Sequence, residues 1–452
     1  MSDSVEMSSS KIIVILTPQF PYPPHQGTTI RNYNLIAGLA RRHEIHVLSF
    51  GNPEECRDSP LHAVCRSVQV VRPPAERPFR HRLRGLFFSR LPDLAQRLPS
   101  AQFRAALDAT LERTNPDVVQ VEGIEMAQYL FQAAARRGDD ERPQLVFDDH
   151  NAEYVLQQRA FETDAAHLVP GRGQRVHVEP DARVEGEPVR ARDSLGRRWI
   201  GAAYSLVQWR RLRRYERHAC LTADQVVAVS EPDAEALRSL VPDLDPHVVP
   251  NGVDMVYYTA PPSHHEAGPA PDAGAGPGEA DLVFTGKMDF RPNVDAVLWF
   301  NQEVLPLIRR ESPGTRFWVV GKDPHPRLSA LASDGTIELT GWVEDVRPYI
   351  AAAGVYVIPL RIGGGTRLKV LEAMTMGRAI VSTALGCEGF DLVPGQELVV
   401  ADTPAAFAEA VVSLLRDPAR RARLGRAARR FAGARYDWRT IVPKMERVYD
   451  LR

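Results

Sequence analysis

The stretch from Arg361 to Gly377 reads RIGGGTRLKVLEAMTMG and combines features suited to an anionic ligand. Gly363, Gly364 and Gly365 let the backbone approach a bound group closely. The residues after them predict a helix, with Thr366 placed to cap it. The first turn of a helix offers unpaired amides to a phosphate. Arg361, Arg367 and Lys369 add positive charge. Glu372 falls more than a turn inside the helix, where its two oxygens can take both hydroxyls of a ribose. The ligand described by these residues is a phosphate compound with hydroxyl groups, and a nucleotide sugar has that chemistry. A plain glycine-rich turn with a solvated Glu372 also satisfies the pattern, as does a simple Lys369–Glu372 ion pair at helical spacing.

Other candidates follow apolar runs that read as strands. Gly286-Lys287 comes after DLVFT, which puts Lys287 on the same rim as the glycine run, with Arg291 as a second cation nearby. The alternative is a surface lysine in a turn. Gln26-Gly27-Thr28 ends a loop and opens a helix, so Gly27 permits close approach of a donor phosphate or an acceptor. An ordinary strand-to-helix turn capped by Thr28 fits equally. Asp148-Asp149-His150-Asn151, with Glu153 beyond it, follows QLVF and suits an acceptor hydroxyl or a transferred sugar. A plain cap-and-loop role fits these residues as well; one histidine among acids is a weak metal signal, and no metal is expected. Glu122, after VVQV, is a rim candidate of the same kind. There is no GxGxxG for a dinucleotide and no spacing that argues a Ser-His-Asp arrangement.

Elements that alternate must hold these residues. Lys11–Leu16, His46–Phe50, Val68–Val71, VVQVEG, QLVFDDH and DQVVAVS read as strands with helical patterns among them, such as Thr28–Arg41. The alternation restarts at DLVFTGKMDF and continues through RFWVVG, TIELTG, VYVIPL and AIVST. Two parallel sheets, each covered by helices, are the expected outcome. The expected division is a first domain over 1–260 with an insertion near 165–193, a Pro/Gly/Ala-rich linker over 261–280, and a second domain over 281–435. The tail from Ala405 to Leu451 is expected to be mostly helical.

At 452 residues the chain is too long for one ordinary core. A composition of 44% hydrophobic and 25% charged residues is globular, and a net charge of -1 argues against nucleic acid as a partner. The four cysteines are scattered without zinc spacing, which fits a reducing compartment. KIIVILTP is too short to span a bilayer, and no signal core precedes it, so the expected location is cytoplasmic. The basic run from Arg197 to Arg217 interleaves Trp199, Tyr204, Trp209 and Tyr215. It suits either an amphipathic helix on the inner face of the cell membrane or a solvated helix packed by its aromatic side.

Taken in order, QFPYPPHQGTTIRNYNLIAGLARRHEIHVLSF, DDHNAEY, LRRYERHAC, AVSEPD, VVPNGVD, GKMDFRPNVDAVLWF and GGGTRLKVLEAMTMGRAIVST resemble the retaining GT-B glycosyltransferases of family 4. The look is that of bacterial sugar transferases of exopolysaccharide synthesis. The resemblance implies an α/β GT-B fold, two Rossmann-like doubly wound domains facing a cleft. It implies a nucleoside-diphosphate sugar as donor substrate, no cofactor, and a glycan or lipid-linked sugar as acceptor. Glu372 falls on the family's ribose-binding glutamate, Lys287 on its first basic residue, Gly27 on its N-terminal glycine and His150 on its sugar-facing histidine. Two positions depart from the pattern. The later lysine of the basic pair falls on Asn293, with Lys369 or Arg367 available to compensate. The first of two glutamates falls on Gly364, with Glu388 in GCEGF available as a substitute. A nucleotide-sugar epimerase and a nucleotide-binding scaffold that has lost catalysis are the competing readings.

Overall fold

A computed structural model describes residues 9–451 except 76, 79–88, 137–142, 167–194, 260–275, 334, 336, 364 and 365. The expected insertion at 165–193 and most of the expected linker therefore lie outside the described residues. The chain divides into two compact units. One comprises Met1–Ala228, Pro232–Val248 and Val448–Arg452; the other comprises Val229–Glu231 and Val249–Arg447.

The first unit is built on seven parallel strands: β1 (Ile12–Thr17), β2 (Glu44–Phe50), β3 (Ser67–Val71), β4 (Val118–Glu122), β5 (Gln144–Asp149), β6 (Gln225–Ala228) and β7 (His247–Val248). Their order is β3-β2-β1-β4-β5-β6-β7. Ile13, Val14 and Leu16 are wholly buried, as the central strand of a sheet covered on both faces must be. The second unit has β8 (Leu282–Thr285), β9 (Phe317–Val320), β10 (Glu338–Gly341), β11 (Val355–Ile358), β12 (Ile380–Ser382) and β13 (Val399–Val400), in the order β10-β9-β8-β11-β12-β13. Both sheets reverse direction of strand addition once, between β1 and β4 and between β8 and β11. Such a reversal leaves a crevice at the carboxyl ends of the two strands, because the connections on either side leave in opposite directions. The two sheets with their flanking helices form the two Rossmann-like domains of the GT-B architecture.

Two helix starts differ from expectation. The first helix spans Gly27–Leu39, and Thr29 rather than Thr28 secures its opening turn. The Thr29 hydroxyl accepts from the Gln26 amide and donates to the Gln26 carbonyl. The glycine-loop helix spans Leu368–Thr375 with Arg367 at its cap position, so Thr366 does not cap it. The Thr366 Oγ1 is buried without a hydrogen-bond partner among the described residues.

The basic run lies in a helix spanning Leu195–Thr222. Trp209 packs against the first unit's core and stacks on Phe161, and Tyr215 is buried edge-on to Phe131. Those two aromatics are committed to packing, as the packed-helix alternative requires. Among the described residues, no helix is long and apolar enough to cross a membrane.

Candidate functional site

In the second unit, the β8/β11 reversal collects the residues singled out from the glycine run. Gly286 follows β8 with φ +152, a region that L side chains rarely adopt. A Cβ there would lie 2.7 Å from Asn293 Nδ2 and 2.9 Å from Lys369 Nζ. Asn293 donates to the Lys287 carbonyl and accepts from Lys369 Nζ at 2.9 Å. Lys369 therefore brings its amine to the side chain that stands where the resemblance expects a lysine. It lies 4.0 Å above the Phe284 ring, and burial pulls its pKa down to about 7. The Glu372 charge opposes that pull and Arg367 reinforces it.

Tyr258 lies beside Glu372, and its hydroxyl favours the carboxylate's charged form. Burial raises the Glu372 carboxyl above its usual range, and Tyr258 and Lys369 hold it back. Its charge also reaches Tyr356, whose hydroxyl bonds Thr285 across β8 and β11. Tyr258, Tyr356 and Thr285 were not foreseen. Tyr356 sits within an apolar strand, and nothing in the spacing signals that it faces the same crevice.

The remaining expected residues divide. Gly363 has φ +115, and a Cβ on it would meet Arg367 Nη2 at 2.9 Å, so the guanidinium lies over the turn. Gly364 and Gly365 lie outside the described residues. The GCEGF loop abuts the end of the run, since a Cβ on Gly389 would contact Thr366 Oγ1 at 3.4 Å. Lys287 is half exposed and bonded to Asp289 at 3.0 Å, with Asp323 at 3.8 Å. Its charge is shared with two acids rather than standing open. Arg291 is exposed at the start of the helix Arg291–Trp299. Arg361 is paired with Asp295 at 2.9 Å and lies over Trp299, which gives it a structural role.

In the first unit, the β1/β4 reversal opens a cavity of about 310 Å³. Gln19, Thr28, Gly123, Asp149, His150 and Glu153 are among its lining residues. Gly27, exposed beside Thr28, opens the first helix. His150 Nε2 bonds Glu122 Oε2 at 2.6 Å. Beneath it Arg31 grips both oxygens of Asp148 at 2.8–3.1 Å. Glu122, Asp148 and His150 offer ligand atoms within 4.8 Å of one another. Arg31 already supplies the positive charge that a cation would bring there.

Asp149 is buried in the cavity wall, and among the described residues neither of its oxygens has a donor. Burial, then the neighbouring Glu216, Glu153 and Asp233, push its carboxyl well above the usual range. Burial also raises Glu216 to about 7, and Glu216 accepts the Glu153 and Tyr154 amides at the start of the next helix. Glu153 is raised to about 8 by burial and by the charges of Glu125 and Glu216. The favourable state keeps a proton on Asp149, facing the Glu216 carboxylate. An acid that is protonated when folded and ionised when unfolded makes the native state bind more protons, so stability falls as pH rises. The window opens at ordinary carboxylate values, near pH 4 to 5, and runs up to the strongly raised value of Asp149 in the folded protein. Asp149→Asn, whose amide donates to Glu216 without titrating, should be more stable than wild type by about 1–2 kcal/mol at pH 8 and show a flatter pH dependence. Thermal unfolding at pH 5.5 and 8 reads this directly, and an equally steep slope in the variant would refute it.

Comparison with known proteins gives these sites a family. The profile described as Glycosyltransferase Family 4 matches residues 26–256, just over half of the chain. The chain belongs to glycosyltransferase family 4. A second profile, Glycosyl transferases group 1, matches residues 279–417 and covers the β8/β11 crevice. The chain is 23% identical over 141 residues to an uncharacterized 44.6 kDa protein in the cps region of Klebsiella pneumoniae, covering 29% of this chain and 36% of that one. It is 27% identical to a glycogen synthase of Mycobacterium tuberculosis over 45% of this chain and 47% of that one. The chain thus spans less than half the length of these relatives. Its fold matches sucrose-phosphate synthase from Thermosynechococcus elongatus with a TM-score of 0.63 at 17% identity, covering 97% of this chain and 98% of that one. It matches Anabaena HepE in complex with UDP with a TM-score of 0.60 at 15% identity, covering 98% and 100%. The family profiles and the structural matches agree on the GT-B fold of this chain.

Proposed function

We propose that this family 4 protein transfers a hexose from a nucleoside-diphosphate sugar to a hydroxyl of a glycan or lipid-linked sugar, with retention at the anomeric carbon, in exopolysaccharide or related glycan synthesis. The observation that carries the reading is the convergence of Lys369, Asn293, Gly286 and Glu372 at the β8/β11 reversal. Glu372 takes the ribose hydroxyls. Arg367, Lys369 and the glycine-turn amides carry the charge of the departing diphosphate. Lys287 and Arg291 lie on that side as exposed cations, and Lys287 must exchange Asp289 for phosphate to join them. His150 orients the sugar or acceptor in the first unit's cavity. Retention without a carboxylate nucleophile fits same-face attack, in which a donor phosphate oxygen takes the acceptor proton. The HepE structures hold UDP or UDP-glucose, and the Klebsiella relative comes from a cps region; both favour the donor class and the setting.

A panel of nucleotide sugars, read by acceptor-dependent release of the nucleoside diphosphate, tests the reading. No release with any donor would reduce the protein to a nucleotide-binding scaffold, and a converted sugar without an acceptor would mark an epimerase. Lys369 adds a sharper expectation. At pH 8 its amine is largely neutral, because its pKa is only about 7. A bound diphosphate favours the charged form and raises that pKa, so binding must take up a proton. Calorimetry of nucleoside-diphosphate binding at pH 8, in buffers of different ionisation enthalpy, should report uptake approaching one proton. Lys369→Met should lose that uptake and bind about 10–100-fold more weakly. Wild-type binding without proton uptake would remove Lys369 from the phosphate site.

A further inference from the structure

Glu122 ends β4 directly across from Asp148 on β5, and it is buried. Both of its oxygens are engaged. Oε2 faces His150 Nε2 at 2.6 Å, and Oε1 accepts a short bond from the Gln120 amide two residues back on the same strand face. Gln120 is itself fixed, because its Oε1 accepts from the Tyr449 hydroxyl. The chain of donors therefore has one sense. Tyr449 donates to Gln120, Gln120 donates to Glu122, and the remaining capacity of Glu122 falls on the imidazole. A carboxylate accepts only, so Nε2 must carry a hydrogen. The other ring nitrogen, Nδ1, lies on the side of Gly123, where a Cβ would come within 3.7 Å. Gly123 has φ +80 and lines the same cavity as His150. A Cβ on Gly123 would meet Glu125 Oε2 first, at 3.2 Å, so that carboxylate shares the space beside Nδ1.

We propose that Glu122 is a positioning residue for glycosyl transfer: its carboxylate holds the His150 imidazole through Nε2 and so presents Nδ1 to a sugar or acceptor hydroxyl in the cavity. The inference rests on the transfer reading for the identity of that oxygen, and on the first unit alone for the geometry. The charged groups around the ring come from every element packed on it. They are Glu122 on β4, Asp148 and Asp149 at the end of β5, Arg31 on the first helix, Glu125 in the turn after β4, Glu153 at the start of the helix that follows, and Arg97 in the cavity wall. Burial lowers the imidazole pKa; the hydrogen bond and charge of Glu122, with the charge of Asp148, outweigh it, against some opposition from Arg31. The net result lies above the ordinary value of 6.5. The imidazolium is present below that raised value and lost as pH climbs through it.

Glu122→Gln keeps the shape and an acceptor for Nε2–H but removes the charge. NMR titration of the His150 ring in the unliganded protein should show its pKa falling by about 1–3 units. The alkaline limb of kcat/KM should move to lower pH by the same amount, while nucleoside-diphosphate affinity stays within twofold. Tyr449→Phe, which weakens the Gln120 bond to Glu122 and leaves more of the carboxylate's charge facing the ring, should shift both readouts the opposite way by less, and it stands in if Glu122→Gln fails to fold. An unchanged His150 titration, or a shifted titration with an unmoved rate profile, would overturn the positioning role. A wild-type protein that turns over no nucleotide sugar fails the transfer reading instead, and the titration separates the two failures.

Discussion

Glu372→Ala should weaken nucleoside-diphosphate binding by about 100-fold and remove measurable sugar transfer. A carboxylate that accepts two ribose hydroxyls loses about 3 kcal/mol of charge-assisted hydrogen bonding on truncation. The surroundings sharpen the expectation. Tyr258 is half-buried beside Glu372 and stabilises its charged form, so the alanine variant also removes the phenol's neighbour. That adds a stability loss of about 1–3 kcal/mol, which must be separated from binding. Glu372→Gln keeps an acceptor for Tyr258 and isolates the contribution of charge. Its stability should stay near wild type while binding falls by about tenfold or more. A folded Glu372→Ala that binds the diphosphate as wild type does would dismiss the ribose role.

Arg31→Met should cost about 3–5 kcal/mol of stability at pH 8, the largest loss expected from a single side chain in the first unit. Arg31 is 2% exposed and its partner Asp148 is fully buried. The bidentate pair repays the desolvation of both charges only while both are present. Burial already lifts Asp148 to about 6 against the pull of Arg31, so removing the arginine must raise it further. The folded variant then holds a proton on Asp148 that the unfolded chain has released, and its stability falls with rising pH. The deficit should shrink toward pH 5, where protonation relieves the stranded carboxylate. Urea unfolding at both pH values measures this. A variant within 1 kcal/mol of wild type at pH 8 would show that water or another group replaces the guanidinium.

Much of the architecture was legible from local pattern. Runs such as IIVIL and LVF, each ending in glycine or a polar cluster, specify strands buried on both faces, and the helical stretches between them force parallel crossovers. The glycine turn ahead of Glu372 was legible for the same reason, since φ +115 at Gly363 is a local demand that the sequence meets locally. Helix caps were less so. Thr28 and Thr366 both look like caps, yet Thr29 secures one helix start and Arg367 occupies the other cap position, because the true start depends on where the preceding loop delivers the chain.

The sequence by itself determined two parallel α/β sheets, the strand ends that carry chemistry, and the candidate roles of His150 and Glu372. Only the tertiary structure decided which charges are spent and which are available. Lys287 and Arg361 look as useful as Lys369 on paper, but acids bind the first two, while Lys369 is drawn to Asn293, seventy-six residues away. Tyr258 reaches Glu372, Arg31 reaches Asp148, and Tyr449 reaches Gln120 across separations no local pattern encodes. The reason is physical. Backbone preference is set by each residue and its near neighbours, whereas the state of a charge depends on burial and on partners that only folding brings within a few ångströms.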